Sequence, residues 1–231
     1  MTLRGVFVAG TDTGVGKTFV GTGLARAAVA DGRPLAVMKP VAAGADATPA
    51  GLRNDDALAL IDAARSTAAY EDVNPYCLPL AASPHIAAAA AGLRIEPAVV
   101  QRAAQRLAAA GEWLLVEGAG GWFAPIGERE TMADVARALG LPVLLVVGLR
   151  LGCLNHALLT HEAIRRDGLR FAGWIGNAID PGLTHADANL AWLRQRFGEP
   201  FALVPWQGGG TASREDAATR LTTASRRLMQ L

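Results

Sequence analysis

Residues 10–18 read Gly-Thr-Asp-Thr-Gly-Val-Gly-Lys-Thr, directly after the apolar run Val6–Ala9 and directly before an Ala/Leu-rich helical pattern. A Gly-rich turn between strand and helix, closed by Gly-Lys-Thr, is an arrangement that cradles a polyphosphate. Gly14 and Gly16 let the backbone N–H groups of the Thr13–Thr18 stretch, Val15 included, turn inward around phosphate oxygens. The helix N-terminus adds unpaired donors and a favourable dipole. Lys17 is placed to reach the β- and γ-phosphates, and the Thr18 hydroxyl to ligate Mg²⁺. The spacing departs from the usual pattern: five residues separate Gly10 from Gly16, where four are usual. The plainer reading, a tight turn that merely starts a helix, makes the lysine and threonine at its mouth a coincidence.

A divalent cation held by one hydroxyl and phosphates is short of protein charge, and such sites add one or two carboxylates. Glu117 ends the apolar run Trp113-Leu-Leu-Val-Glu, and Gly118-Ala119-Gly120-Gly121 follow. A carboxylate at that strand end fits a metal or water-linked ligand, and one buried there without a cation would be costly. The glycines allow close backbone approach to a nucleotide or substrate. The alternative is a surface glutamate. Asp55 and Asp56 follow Asn54 at the start of a helical pattern, where Asn54 or Asp55 as an N-cap is the competing reading. Lys39 ends the run Leu35–Lys39, either facing the phosphates or solvated at a strand end.

These residues need a frame. Strands are expected at Gly5–Ala9, Leu35–Lys39, Trp113–Glu117, Val143–Val147, Phe171–Asn177 and Phe201–Val204. Helices are expected at Lys17–Asp31, Asp55–Ala64, Pro97–Ala110, Met132–Leu139, Asn155–Asp167, His185–Phe197 and Ala217–Leu228. Runs such as Leu141-Pro-Val-Leu-Leu-Val-Val are continuously apolar, the mark of strands covered on both faces. The alternation therefore predicts an α/β fold: a doubly wound, mostly parallel sheet flanked by helices, the P-loop NTPase fold, in one domain over 1–231. Pro40–Asn54 and Tyr70–His85 read as long loops, which in compact domains are more often functional than idle.

Hydrophobic residues make up 51% of the 231 and charged residues 19%, enough for a substantial core. With 22 basic and 21 acidic side chains the net charge is +1, so no charge excess points to nucleic acid or a membrane surface. Cys77 and Cys153 are too few and too distant for a disulfide framework or metal cluster. The opening run reads as a strand rather than a leader, and the Ala-rich stretch Ile86–Leu93 is too short for a bilayer. A cytoplasmic protein is the expectation.

The chain resembles the dethiobiotin synthetase family. The segments that carry the resemblance are the phosphate loop, Lys39-Pro-Val-Ala, Gly51-Leu-Arg-Asn-Asp-Asp56 and Asn74-Pro-Tyr76. Ser83-Pro-His85, Val116-Glu-Gly-Ala-Gly-Gly-Trp122, Leu151-Gly-Cys-Leu-Asn-His-Ala157 and Val204-Pro-Trp206 complete it. The resemblance implies MgATP-dependent ring closure of 7,8-diaminononanoate with CO₂ to dethiobiotin. The expected route runs through a carbamate and a carbamic–phosphoric anhydride. It implies Thr18, Asp56 and Glu117 as Mg²⁺ ligands, and Lys17 and Lys39 as the catalytic cations around the transferred phosphoryl group. Asn177 is implied at the adenine edge, where its amide offers both donor and acceptor, with Pro205 and Trp206 lining the base pocket. It also implies a homodimer in which Leu151, Gly152, Cys153, Leu154 and Asn155 close over the diamine from the second subunit. Read without the resemblance, Asn177 forms a turn, Trp206 is core and Asn155 caps the next helix.

Two positions depart from the family. Ala43 stands where a serine often contacts the carbamate, a loss of roughly 0.5–1.5 kcal/mol for one neutral hydrogen bond, which a water or the N–H groups of the 40–44 loop are placed to replace. Gly14 stands where some relatives carry glutamate. Two rival readings share the fold: a nucleotide-switched positioning ATPase and a corrin-type amide synthase. The first usually carries a lysine early in the loop, where this chain has Asp12. The second usually carries an appended glutaminase domain, for which the expected single domain leaves no room.

Overall fold

A computed structural model describes residues 3–110 and 113–230; residues 1, 2, 111, 112 and 231, part of the expected 1–231 unit, lie outside the described residues. In chain order the strands are β1 (Gly5–Gly10), β2 (Leu35–Met38), β3 (Val41–Ala43), β4 (Asp46–Thr48), β5 (Gly51–Arg53), β6 (Tyr76–Leu78), β7 (Trp113–Glu117), β8 (Val143–Leu149), β9 (Phe171–Ala178) and β10 (Ala202–Val204). The α-helices are α1 (Lys17–Ala30), α2 (Asp55–Ala64), α3 (Tyr70–Val73), α4 (Pro84–Ala90), α5 (Pro97–Leu107), α6 (Met132–Leu139), α7 (Cys153–Arg166), α8 (Ala186–Phe197) and α9 (Thr211–Leu228).

The central sheet runs β10-β9-β8-β1-β7-β2, and every neighbouring pair in it is parallel. All seven residues of β8 are buried, as continuous apolar strands must be when helices cover both faces. Helix α1 packs against α2 and α9, α5 against α3 and α6, and α7 against β8 and β9. From β1 the chain winds outward to β2, then returns and adds β8, β9 and β10 on the other side. The tip of β1 is therefore the switch point, where open α/β sheets hold their ligands.

Register decides which side chains meet there. Val8 pairs with Glu117, and Met38 with Val116. Lys39, one step past Met38, comes level with Glu117.

Three expected elements have the observed bounds, Trp113–Glu117, Asp55–Ala64 and Met132–Leu139. Elsewhere β8 and β9 run on to Leu149 and Ala178, α5 ends at Leu107 with a 3₁₀ turn over Ala108–Ala110, and α9 begins at Thr211 rather than Ala217. The two expected loops are a correction. Pro40–Asn54 contains β3, β4 and β5, and Tyr70–His85 contains α3, β6 and the start of α4. Strand β3 pairs in parallel with β6, and β4 with β5 as a hairpin. Three-residue strands are too short to show a period of two. Among the described residues no helix is long and apolar enough to cross a membrane.

Candidate functional site

The loop between β1 and α1 is bent at two glycines. Gly14 has φ 74° and Gly16 φ 87°, a region that side-chain-bearing residues rarely enter. A Cβ on Gly16 would also stand 2.2 Å from Asn177 Nδ2. Val15 is 1% exposed; a Cβ on Gly148 would lie 2.8 Å from its Cγ1. The Val15 side chain is therefore the loop's anchor, and only its backbone is available to a ligand. Helix α1 starts with Lys17, has Gly16 as N-cap and carries no acidic residue in its own first turn, so no side chain of that turn caps the positive end of its dipole.

Asp12 ties this loop together. Its Oδ1 accepts from the Thr13 N–H at 2.7 Å, its Oδ2 receives Arg150 Nη2 at 2.5 Å, and its carbonyl accepts from Lys17 Nζ at 3.0 Å. Neither Asp12 nor Arg150 is among the sequence-predicted site residues. They are 138 positions apart, and an acid in a turn has no local signature of its partner.

The charged centre lies beside the loop. Lys39 Nζ bridges Glu117 Oε1 at 2.5 Å and Asp56 Oδ2 at 2.8 Å. Thr18 Oγ1 donates to the same Glu117 oxygen at 2.8 Å. Lys39 and Glu117 are buried, while the Asp56 side chain is 43% exposed. Burial alone would lower Lys39, but the Glu117 and Asp56 carboxylates outweigh it and hold the lysine above its ordinary range. Burial would raise Asp56, and the charge and hydrogen bond of Lys39 reverse this and hold it low. Lys17 is pushed down to about 8, first by burial and then by the neighbouring Lys39 charge. Glu117 Oε2 is buried without a partner. One carboxylate oxygen without a donor, a second carboxylate and a hydroxyl within one cluster fit a hard cation with oxygen ligands.

Asn54 is the N-cap of α2, its Oδ1 accepting from the N–H groups of Asp56 and Ala57 at 3.1 and 3.4 Å. That resolves the capping alternative and leaves the Asp56 carboxylate free to face Lys39.

These groups line a cleft of about 740 Å³ at the strand tips. Of the sequence-predicted residues, Thr13, Gly14, Gly16, Lys17, Thr18, Lys39, Ala43, Asp56, Glu117, Ala119 and Gly120 line it. Gly118 does not: a Cβ there would meet the Phe7 ring at 2.9 Å, so this glycine serves packing. Ala43 lies at the end of β3, and the N–H of Gly44 already donates to Leu80 O at 3.1 Å. That N–H is therefore not free to stand in for the missing serine. The lining also includes Ser83 and Pro84, which were not among the expected site residues.

Asn177 lies behind the loop rather than in this cleft, donating Nδ2 to Val15 O at 2.9 Å while its Oδ1 is buried without a partner. Val204 pairs with Asn177, which puts Pro205 and Trp206 at the same strand tips, with Trp206 43% exposed. The segment Leu151–Asn155 follows β8 and does not line the cleft of its own chain. Helix α7 begins at Cys153 with Gly152 as its cap at φ 92°, so Asn155 is inside the helix and is not its cap. Leu151 is 88% exposed. The Cys153 thiol is buried in the core, so only its backbone can meet a ligand.

A family model described as an AAA domain matches residues 4–209. The chain is 48% identical over 219 residues to the ATP-dependent dethiobiotin synthetase BioD of Aromatoleum aromaticum, covering 94% of this chain and 97% of that protein. It is 50% identical over 195 residues to the protein of the same name from Pseudomonas paraeruginosa, covering 84% and 86%. Among solved structures, the MinD cell division protein of Aquifex aeolicus superposes with a TM-score of 0.61 at 14% identity, over 99% of this chain and 98% of that one. At that identity the likeness shows the shared P-loop NTPase fold alone.

Proposed function

The chain belongs to the ATP-dependent dethiobiotin synthetase family, and from that premise we propose how its cleft performs the ligase reaction of biotin biosynthesis. The substrates are 7,8-diaminononanoate, CO₂ and ATP. One amine takes up CO₂ and loses a proton to give a carbamate. The carbamate oxygen attacks the γ-phosphorus, forming a carbamic–phosphoric anhydride and releasing ADP. The second amine then attacks the carbonyl carbon, closing the cyclic urea and expelling phosphate. A carbamate oxygen leaves poorly at neutral pH and phosphate leaves well, which is why ring closure needs ATP.

The observation that carries this reading is the convergence of Lys17, Lys39, Thr18, Asp56 and Glu117 in one cleft at the switch point. Phosphoryl transfer asks a protein chiefly for positioning and charge neutralisation. The loop N–H groups from Gly14 to Thr18 bind the polyphosphate, while the Thr13 N–H, held by Asp12 Oδ1 at 2.7 Å, fixes the entry to the loop. Lys17 moves from the Asp12 carbonyl to the β/γ-phosphates. Lys39, which its carboxylate neighbours keep protonated, holds the carbamate against the γ-phosphate as a cation and not as a base. Thr18, Asp56 and Glu117 would hold Mg²⁺, which when bound neutralises charge on the phosphate oxygens. Asn177, with Pro205 and Trp206, takes the adenine edge, a role its unpartnered Oδ1 supports. The alanine at 43 leaves carbamate binding to Lys39 and water.

We further infer a homodimer in the cytoplasm, with Leu151–Asn155 of one subunit closing on the diamine of the other. The exposed Leu151, Leu159 and Phe123 support a covered apolar face there. The test is mass-spectrometric detection of dethiobiotin from diaminononanoate, bicarbonate and MgATP, beside light scattering. ATP turnover that ignores the diamine and follows a membrane or partner protein would instead favour a positioning ATPase.

A further inference from the structure

Behind the cleft, one chain of hydrogen bonds joins the backbone of Lys39 to the backbone of Asp56. The Lys39 N–H donates to Val73 O at 2.8 Å, and the Lys39 carbonyl accepts from Asn74 Nδ2 at 2.6 Å. Asn74 Oδ1 accepts from the Tyr70 hydroxyl at 3.1 Å. That hydroxyl accepts the Asn54 N–H at 2.8 Å, and the Asn54 side chain caps the helix on which Asp56 sits.

The chemistry of each link fixes its direction. Asn74 Nδ2 faces two carbonyls, Lys39 and Tyr76, so flipping the amide would set oxygen against oxygen. The Tyr70 proton goes to Asn74 because its Asn54 partner is itself a donor and its third neighbour, Cys77 Sγ at 3.4 Å, is a weaker acceptor than an amide oxygen. Asn74 and Asn54 are 2% and 7% exposed, so water is a poor substitute for either.

Helix α2 is held along its length by packing on α1 and β2. Beyond the Tyr70 hydroxyl, however, the Asn54 cap has, among the described residues, only a 3.5 Å contact from its Nδ2 to Ala43 O outside its own helix. The cap is reached through the hairpin β4–β5, and all three residues of β4 are exposed. The Tyr70 hydroxyl seats Asn54, and through it Asp56, against the segment that also clamps Lys39. The two ends of the chain are the residues whose side chains make the 2.8 Å ion pair.

We propose that Tyr70 and Asn74 are positioning residues that set the separation of Lys39 and Asp56 for phosphoryl transfer. The proposal rests on the roles given to those two side chains above. Tyr70→Phe removes one oxygen and keeps the ring beneath Arg53, whose guanidinium lies 4.1 Å from its centroid. Asn74→Ala breaks the next link. The readouts are Mn²⁺ binding by electron paramagnetic resonance with a non-hydrolysable ATP analogue present, kcat and KM, and the affinity of the analogue without metal.

Tyr70→Phe is expected to weaken Mn²⁺ binding about tenfold and to lower kcat by a similar factor, as loss of a group supporting a metal ligand does. Metal-free analogue affinity should stay within about twofold. A variant that melts earlier yet keeps Mn²⁺ binding and kcat overturns the proposal, and so does an equal loss in metal-free analogue affinity. Should Asn74→Ala fail to fold, Tyr70→Phe decides alone. Lys39→Ala and Asp56→Asn run beside them. If these move neither turnover nor Mn²⁺ binding, the site reading itself falls and the positioning role with it. If they move both while Tyr70→Phe moves neither, only the positioning role falls.

Discussion

Glu117 Oε1 receives the Lys39 ammonium at 2.5 Å, with the glutamate 0% and the lysine 4% exposed. Neither charge can be left alone in that environment: an uncompensated buried partner costs about 3–5 kcal/mol, whereas replacing both with apolar groups is often near neutral. Lys39→Met is expected to destabilise by about 3 kcal/mol or more, Glu117→Leu by less because Asp56 still pairs the lysine at 2.8 Å, and the double variant by clearly less than their sum. Urea unfolding of the four proteins measures this, and strict additivity would contradict it.

Lys39→Ala should separate catalysis from binding. A cation acting where charge develops in transfer is worth about 10²–10³ in kcat, while the nucleotide is held chiefly by the 13–18 loop. Turnover should therefore fall by that order, with ATP affinity changed by only a few-fold. Dissociation constants and single-turnover rates taken side by side would expose an equal loss in both, which this role does not allow.

Glu117→Gln keeps the shape of the side chain and removes ligand charge next to Thr18 and Asp56. The Mg²⁺ concentration for half-maximal activity should rise about tenfold or more. An unchanged metal titration would place the cation elsewhere.

Lys17 supplies the pH dependence. Its value of about 8 in the free protein lies below the ordinary 10.5, so between those two values the unfolded chain holds more protons than the folded one. Stability from this group consequently rises with pH across that window, and its burial penalty is in full force below it. Bound phosphates restore the charged form, so nucleotide binding should take up about half a proton at pH 8, more at pH 9 and little at pH 6.5. Calorimetry in buffers of different ionisation enthalpy reads this directly, and Lys17→Met should abolish it.

Gly16→Ala places a methyl group where Asn177 Nδ2 now stands, at a backbone φ of 87°. Strain of about 1–3 kcal/mol is expected in the loop itself, with ATP-analogue affinity reduced about tenfold or more. Analogue titration checks it; wild-type affinity would show that the loop does not need this conformation.

What the sequence made legible was what its neighbours in the chain decide. The phosphate loop, the strand Trp113–Glu117 and the helix Met132–Leu139 depend on local glycines, apolar runs and caps, such as the Thr131–Asp134 capping box. Local signals also misled. Asn155 looked like a cap because asparagine is a good one, yet Gly152 at φ 92° starts the helix earlier. The polar stretch from Thr211 hid the first turns of α9.

The residue types that do chemistry, and their place at strand tips and a helix mouth, follow from the amino-acid sequence alone, because short-range sterics and burial patterns set them. Which of those residues touch was decided only by the tertiary structure. Lys39 finds Glu117 through the register of two parallel strands 78 positions apart, and Asp56 through a cap held by Tyr70. The partners of a buried charge are chosen by the cost of leaving it unpaired, and that cost exists only once the sheet has closed around it.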